Sequence, residues 1–158
     1  MPLIKIATKI NADIEICFSL SLSIDLHRIS TKETGEQAID GITSGLIGLG
    51  QSVTWQAKHF GITQRLTSKI TKYNNPFHFR DEQVNGIFQS LVHDHYFQKF
   101  QNYTLMSDYF FFESPFGIFG KIFNKLILTN YMKNFLILRN NTIKEYAESD
   151  KWKALLIN

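Results

Sequence analysis

The sequence predicts an α+β protein in which a curved antiparallel sheet, covered on one face and wet on the other, lies against one long C-terminal helix. Three observations carry this. In residues 53–59 and 62–71, Val53, Trp55, Ala57 and His59, then Gln64, Leu66, Ser68 and Ile70, share one side, while Thr54, Gln56, Lys58, Thr63, Arg65, Thr67, Lys69 and Thr71 share the other. That is the period-2 signature of a two-faced hairpin. Further alternating segments follow at short intervals, and from Phe116 to about Ala147 the apolar residues fall at helical spacing. The covered face carries Trp, His and Gln as well as aliphatics. A purely structural core seldom selects those, so the face reads as the wall of a cavity.

Taken in order, residues 3–9 alternate Ile4 and Ile6 against Lys5 and Ala7, a first strand. Asn11-Ala12-Asp13 reads as a helix start, with Asn11 as the cap and Asp13 and Glu15 acidic in the first turn. The next stretch is ambiguous: Ile16, Phe18, Leu20, Leu22 and Ile24 alternate with small polar residues, and periodicity alone favours a strand through Ser23. Residues 31–50 are rich in Gly, Thr and Ser, with Ala38-Ile39 as a possible short strand and residues 46–50 as a flexible loop into the hairpin. Phe60-Gly61 makes the tight turn, Gly61 supplying positive φ. A second turn at Asn74-Asn75-Pro76 leads into a strand where Phe77, Phe79, Asp81 and Gln83 alternate with His78, Arg80 and Glu82.

Leu91, His93, His95 and Phe97 share one face of the following strand, and Thr104, Met106, Asp108 and Phe110 one face of the next. A turn near Phe100-Gln101 sets His93 opposite Asp108 and His95 opposite Met106. Ser114-Pro115 then reads as a capping Ser with Pro at the first helical position. The helix after it presents Phe119, Ile122, Phe123, Leu126, Leu128, Tyr131, Met132, Phe135, Leu136, Ile143 and Tyr146. At on the order of 45 Å it must cross the whole concave sheet.

A chain of 158 residues fits one domain, residues 1–158, large enough to form a core without disulfides or metals. The net charge of +3 is spread over scattered Lys and Arg, so nucleic acid is not expected as a partner. The single Cys17 suits a reducing compartment. The stretch 14–26 is interrupted by Glu15 and Asp25 and lacks a basic leader, and the run 116–138 is broken by Lys121, Lys125 and Lys133. No signal peptide and no membrane span are expected, and a cytoplasmic location follows.

Several words in this chain resemble the SRPBCC superfamily, in the branch described as ligand-binding SRPBCC-domain proteins. They are Val53-Thr54-Trp55-Gln56-Ala57-Lys58-His59-Phe60-Gly61, Leu66-Thr67-Ser68-Lys69-Ile70-Thr71, Phe79-Arg80-Asp81-Glu82-Gln83-Val84-Asn85-Gly86, His93-Asp94-His95 and Pro115-Phe116-Gly117-Ile118-Phe119-Gly120. The resemblance covers nearly the whole chain, although residues 144–158 match no family word. It implies a helix-grip (START-like, polyketide cyclase-like) fold, with residues 14 to roughly 30 as two short helices in place of a strand. It implies no single activity, because the superfamily hosts binders, carriers and enzymes on one scaffold.

Strand parity directs Trp55, His59, Gln64, Ser68, Asp81, Gln83, His93, His95, Thr104 and Asp108 to the covered side, among Leu66, Ile70, Phe77, Phe79, Leu91, Phe97, Met106 and Phe110, with Phe119 and Phe123 reaching in from the helix. An apolar hollow with a few convergent polar groups is what a small-molecule site requires. The sharpest constellation is His93, His95, Asp108 and His59. Two histidines at i and i+2 on a strand could ligate zinc with a third ligand from a neighbouring strand. The chain has no metal motif of known spacing, so neither a metal nor a cofactor is expected. A His and Asp pair could instead transfer protons near neutral pH. The sequence thus points first to a non-catalytic binder or carrier of a small, largely hydrophobic molecule such as a lipid. A second reading is a polyketide cyclase-like or dehydratase-like enzyme using His93, His95 and Asp108, and a third is an interaction module with a vestigial cavity. A homodimer is compatible with all three.

Overall fold

The computed structural model describes residues 2–157, and at 124 and 125 the backbone only. Strand β1 (Leu3–Ile10) leads into two short helices, α1 (Ile14–Ser21) and α2 (Ile24–Ser30). Six strands follow: β2 (Gln37–Gly41), β3 (Ser52–His59), β4 (Ile62–Asn74), β5 (His78–Asn85), β6 (Ser90–Lys99) and β7 (Thr104–Glu113). Helix α3 (Gly117–Phe123), a π-helical turn (Asn124–Leu128), helix α4 (Thr129–Ala147), a 3₁₀ turn (Asp150–Trp152) and α5 (Lys153–Leu156) complete the chain. The strands form one antiparallel sheet in the order β1-β7-β6-β5-β4-β3-β2. No helix among the described residues is long and apolar enough to cross a membrane.

The β3–β4 hairpin pairs Val53 with Ser68, Trp55 with Leu66 and His59 with Ile62. Its two-residue turn holds both Phe60 (φ 51°) and Gly61 (φ 76°) at positive φ, the geometry whose twist matches a right-handed strand pair. Where β4 meets β5 the register slips between Thr67 and Ser68 and again between Ile70 and Lys72. Such bulges bend and twist a strand, and here they curl the sheet around its covered face.

Residues 14–30 are helical, as the family resemblance implies and against the alternation that favours a strand. Cys17, Phe18 and Leu20 turn inward from α1, and Ser23 breaks the run by capping α2, its hydroxyl accepting from the Leu26 N–H at 3.1 Å. The first cap differs from expectation. Asp13 occupies the N-cap position of α1, and the Asn11 N–H is taken up by Glu148 Oε1 at 2.8 Å. Phe18 fixes α1 to the sheet, its ring edge-on to Tyr73, Phe79 and Phe97 at 5.4, 5.6 and 5.4 Å. Full burial of such a ring stabilises by about 1.5–3 kcal/mol before packing terms.

Two other expectations need correction. The β6–β7 register sets His95 opposite Asp108, His93 opposite Phe110 and Phe97 opposite Met106, two residues away from the expected pairing. The strands run on to Lys99 and Thr104, so the connection is centred one residue later. The C-terminal helix is also not continuous from Pro115. It begins at Gly117, and the π turn changes its phase, so that Gly120 is the buried residue of α3 while Leu136, Arg139, Asn140, Ile143 and Ala147 are buried on α4. Helix α4 packs on β1, α1 and α2, whereas α3 rests on the π turn.

Candidate functional site

Between the curled sheet and the helices lies a cavity of about 920 Å³. Trp55, Ala57 and His59 on β3, with Gln64, Leu66, Ser68 and Ile70 on β4, form one part of its wall; Phe79, Asp81, Leu91, His93, His95 and Phe110 form another. Tyr131, Met132, Phe135, Leu136 and Arg139 of α4 close it, and Phe60, Ile62, Ile87, Phe116 and Phe123 are exposed residues at its rim.

Thirteen of the residues expected on the wall line this hollow: Trp55, His59, Gln64, Leu66, Ser68, Ile70, Phe79, Asp81, Leu91, His93, His95, Phe110 and Phe123. Seven do not. Met106 and Asp108 are fully buried yet outside the lining, since β7 carries them toward β1 and α4. Gln83 is occupied with the loop after its strand, its Nε2 donating to the Phe88 carbonyl at 2.7 Å and its Oε1 accepting from the Phe88 N–H at 3.3 Å. Phe119 is 78 % exposed, one turn before Phe123 on α3 and outside the lining. Phe77, expected on the covered side, is exposed ahead of β5. Thr104 and Phe97 are buried in the core, Thr104 Oγ1 donating to the Ala12 carbonyl at 2.8 Å.

The polar part of the wall, Asp81, His93 and His95, is backed by Asp108 of the next strand. Asp81 of β5 pairs across from His93 of β6, and Asp108 of β7 pairs across from His95. His93 Nε2 lies 2.9 Å from Asp108 Oδ1, and His95 Nε2 lies 2.9 Å from Asp81 Oδ2. The two imidazoles overlap, centroids 3.7 Å apart, and His95 stacks on Phe79 at 4.1 Å. From α4, Asn140 Nδ2 donates to Asp108 Oδ2 at 2.6 Å, and Arg139 Nη1 stands 3.7 Å from Asp108 Oδ1.

Burial, then the neighbouring His95, push the His93 imidazole down to about 4 against the pull of Asp108. Burial works to raise Asp108, but its contacts with His93 and His95 outweigh it and hold the carboxyl well below the usual range. Asp81 follows the same pattern through His95, His93 and Arg139. At neutral pH His93 is uncharged, with Nε2–H directed at Asp108 and the Nδ1 lone pair left toward Asp81.

A second cluster lies under α2. Glu36 reaches His27 Nε2 at 2.5 Å and His59 Nε2 at 3.5 Å, His59 Nδ1 meets the Tyr131 hydroxyl at 2.7 Å, and His27 lies over Trp55 with centroids 4.2 Å apart. Burial lifts the Glu36 carboxyl, yet the two histidines bring it down to about 2. Of the residues that sequence reasoning missed, Arg139 and Asn140 had a legible signal, as polar residues three and four places after Leu136 on the buried helical stripe. Glu36 and His27 had none, because the loop ahead of β2 and the docking of α2 bring them to the wall.

A curled antiparallel sheet gripping a C-terminal helix, with two short helices between the first two strands, is the helix-grip fold of START-like proteins. No family model matches the chain, and no curated protein matches it. Solved structures do. A protein of Thermus thermophilus aligns over 92 % of this chain and 97 % of its own, at 18 % identity and a TM-score of 0.75. Major latex-like protein 151 of Panax ginseng aligns over 94 % and 98 %, at 17 % identity and 0.69. A START superfamily protein of Mycobacterium smegmatis aligns over 92 % and 97 %, at 10 % identity and 0.67. These likenesses establish the fold.

Proposed function

We propose that this chain binds and carries a small, largely hydrophobic molecule in the hollow between its sheet and α4. The observation that supports the reading is a cavity of about 920 Å³ whose aromatic and aliphatic wall is interrupted by two compact polar clusters, one around Asp81, His93 and His95 and one around Glu36, His27 and His59. That volume falls in the range of small-molecule sites, where apolar surface supplies affinity and a few polar groups fix orientation. The Gln64 Oε1 atom on the wall is buried without a hydrogen-bond partner, and leaving such an acceptor unpaired costs about 1–3 kcal/mol. A ligand donor at that point offsets the cost.

The His93–Asp108 contact favours a second reading, a cyclase-like or dehydratase-like enzyme in which His93 accepts a proton from a substrate in the hollow while Asp108 steadies the imidazolium. Native mass spectrometry of freshly purified protein tests the carrier: a co-purifying mass of a few hundred daltons is expected, released on unfolding. Protein that carries nothing and takes up no palmitate or aromatic polyketide offered to it contradicts the proposal. The two readings part on His93→Ala and Asp108→Asn. A carrier retains its ligand affinity in both variants, whereas an enzyme loses turnover by a factor of hundreds.

A further inference from the structure

We infer that Asp81, His93 and His95 form a binding site for one divalent transition-metal ion set into the polar wall of the cavity. One ligand atom from each of the three lies within 4.8 Å of the other two. His95 Nε2 and Asp81 Oδ2 are 2.9 Å apart, and His93 Nδ1 is 3.9 Å from the same oxygen. An ion held at about 2.0–2.2 Å by nitrogen and carboxylate oxygen needs neighbouring ligands roughly 3–3.5 Å apart. Small side-chain rotations supply that, on backbone already fixed by the β5–β6 pairing of Asp81 with His93.

The hydrogen bonding behind the cluster is the stronger argument. His95 sits between two carboxylates, with Nε2 2.9 Å from Asp81 and Nδ1 3.0 Å from Asp108. A neutral imidazole has one N–H, so one of its lone pairs must face a carboxylate oxygen. His95 Nδ1 is indeed buried without a hydrogen bond, although Asp108 Oδ1 lies 3.0 Å away. A cation between Nε2 and Asp81 removes the conflict: Nε2 and the Asp81 oxygen both turn lone pairs to the ion, and the single proton moves to Nδ1, facing Asp108. His93 is arranged in the same sense, Nε2 at 2.9 Å from Asp108 Oδ1 and Nδ1 on the Asp81 side. One buried carboxylate, itself anchored by Asn140, then orients both ring ligands, the outer-sphere arrangement that metal-binding histidines use.

Two imidazoles and one carboxylate suit zinc, cobalt or ferrous iron better than magnesium or calcium, which take oxygen. Asp81, His93 and His95 all line the hollow, so the remaining coordination positions would face it and be available to water or to an oxygen of a bound molecule. Ion binding at these three side chains is independent of what fills the apolar part of the cavity.

The test is titration of the chelator-treated full chain with Co²⁺ and Zn²⁺. One equivalent is expected to bind at micromolar or lower concentration, and Co²⁺ is expected to shift the ring protons of His93 and His95 before those of His27, His59 and His78. Asp81→Asn is expected to weaken binding at least tenfold and Asp108→Asn by tenfold to a hundredfold, while His78→Gln, on the opposite sheet face beside Asp94, leaves it unchanged. No saturable binding, Co²⁺ shifts confined to other histidines, or equal affinity in Asp81→Asn would each overturn the assignment. The spectrum of the wild-type chain decides the matter even if a variant folds poorly.

Discussion

Glu36 is a carboxylate with side-chain exposure of only 9 %, held between His27 and His59. Burial opposes its charge, the histidines support it, and the balance leaves it at about 2 against an ordinary 4.5. A carboxyl depressed in the folded chain contributes its full stability above the unfolded value and loses it as pH falls through the folded one. The Glu36 contribution is therefore complete above about pH 4.5 and disappears toward pH 2, with a ceiling of about 3 kcal/mol. Urea unfolding of wild type and Glu36→Gln checks this: the difference is expected to be largest above pH 4.5 and to shrink steadily on acidification. A constant difference would show that Glu36 acts through shape alone. Parity placed His93, His95 and Asp81 on the wall, because alternation along a strand is visible in one sequence. The pairing of His59 with Glu36 was not legible, since it joins a loop residue to a strand with no periodic relation between them.

Parity also explains what failed among the elements. A slip of two residues leaves every side chain on its expected face, so alternation identified the covered faces of β6 and β7 while misassigning Asp108 to His93 in place of His95. In residues 14–30 the alternation of Ile16, Phe18, Leu20, Leu22 and Ile24 imitates a strand, and only the docking of Phe18 under Phe79 and Phe97 shows why helix prevails. At the C-terminus Phe119 and Phe123 stand four apart on α3, so helical spacing assigns them together although only Phe123, at the end next to the π turn, reaches the cavity. Turn glycines give a direct test of backbone geometry. Gly61 has φ of +76° and open space where a Cβ would lie, so Gly61→Ala is expected to cost about 1 kcal/mol. Gly41 has the same φ, but its Cβ would stand 2.2 Å from the Ser52 carbonyl oxygen. Gly41→Ala must displace β2 from β3 and is expected to cost clearly more in thermal unfolding. Equal costs would mean that the β2–β3 edge yields without penalty.

At the scale of the whole molecule, the bulged β4 curls the sheet, α1 and α2 prop one end, and α4 lies across the opening without filling it. The central claim is that this hollow receives an apolar molecule. Fluorescence titration with 8-anilinonaphthalene-1-sulfonate, run on wild type and on Ala57→Phe, tests it most directly, because Ala57 lines the cavity and a ring there occupies its space. Saturable binding of one probe per chain is expected, weakened at least tenfold in Ala57→Phe at an unchanged melting temperature. Equal binding to both proteins, or no saturable binding to either, would contradict the account.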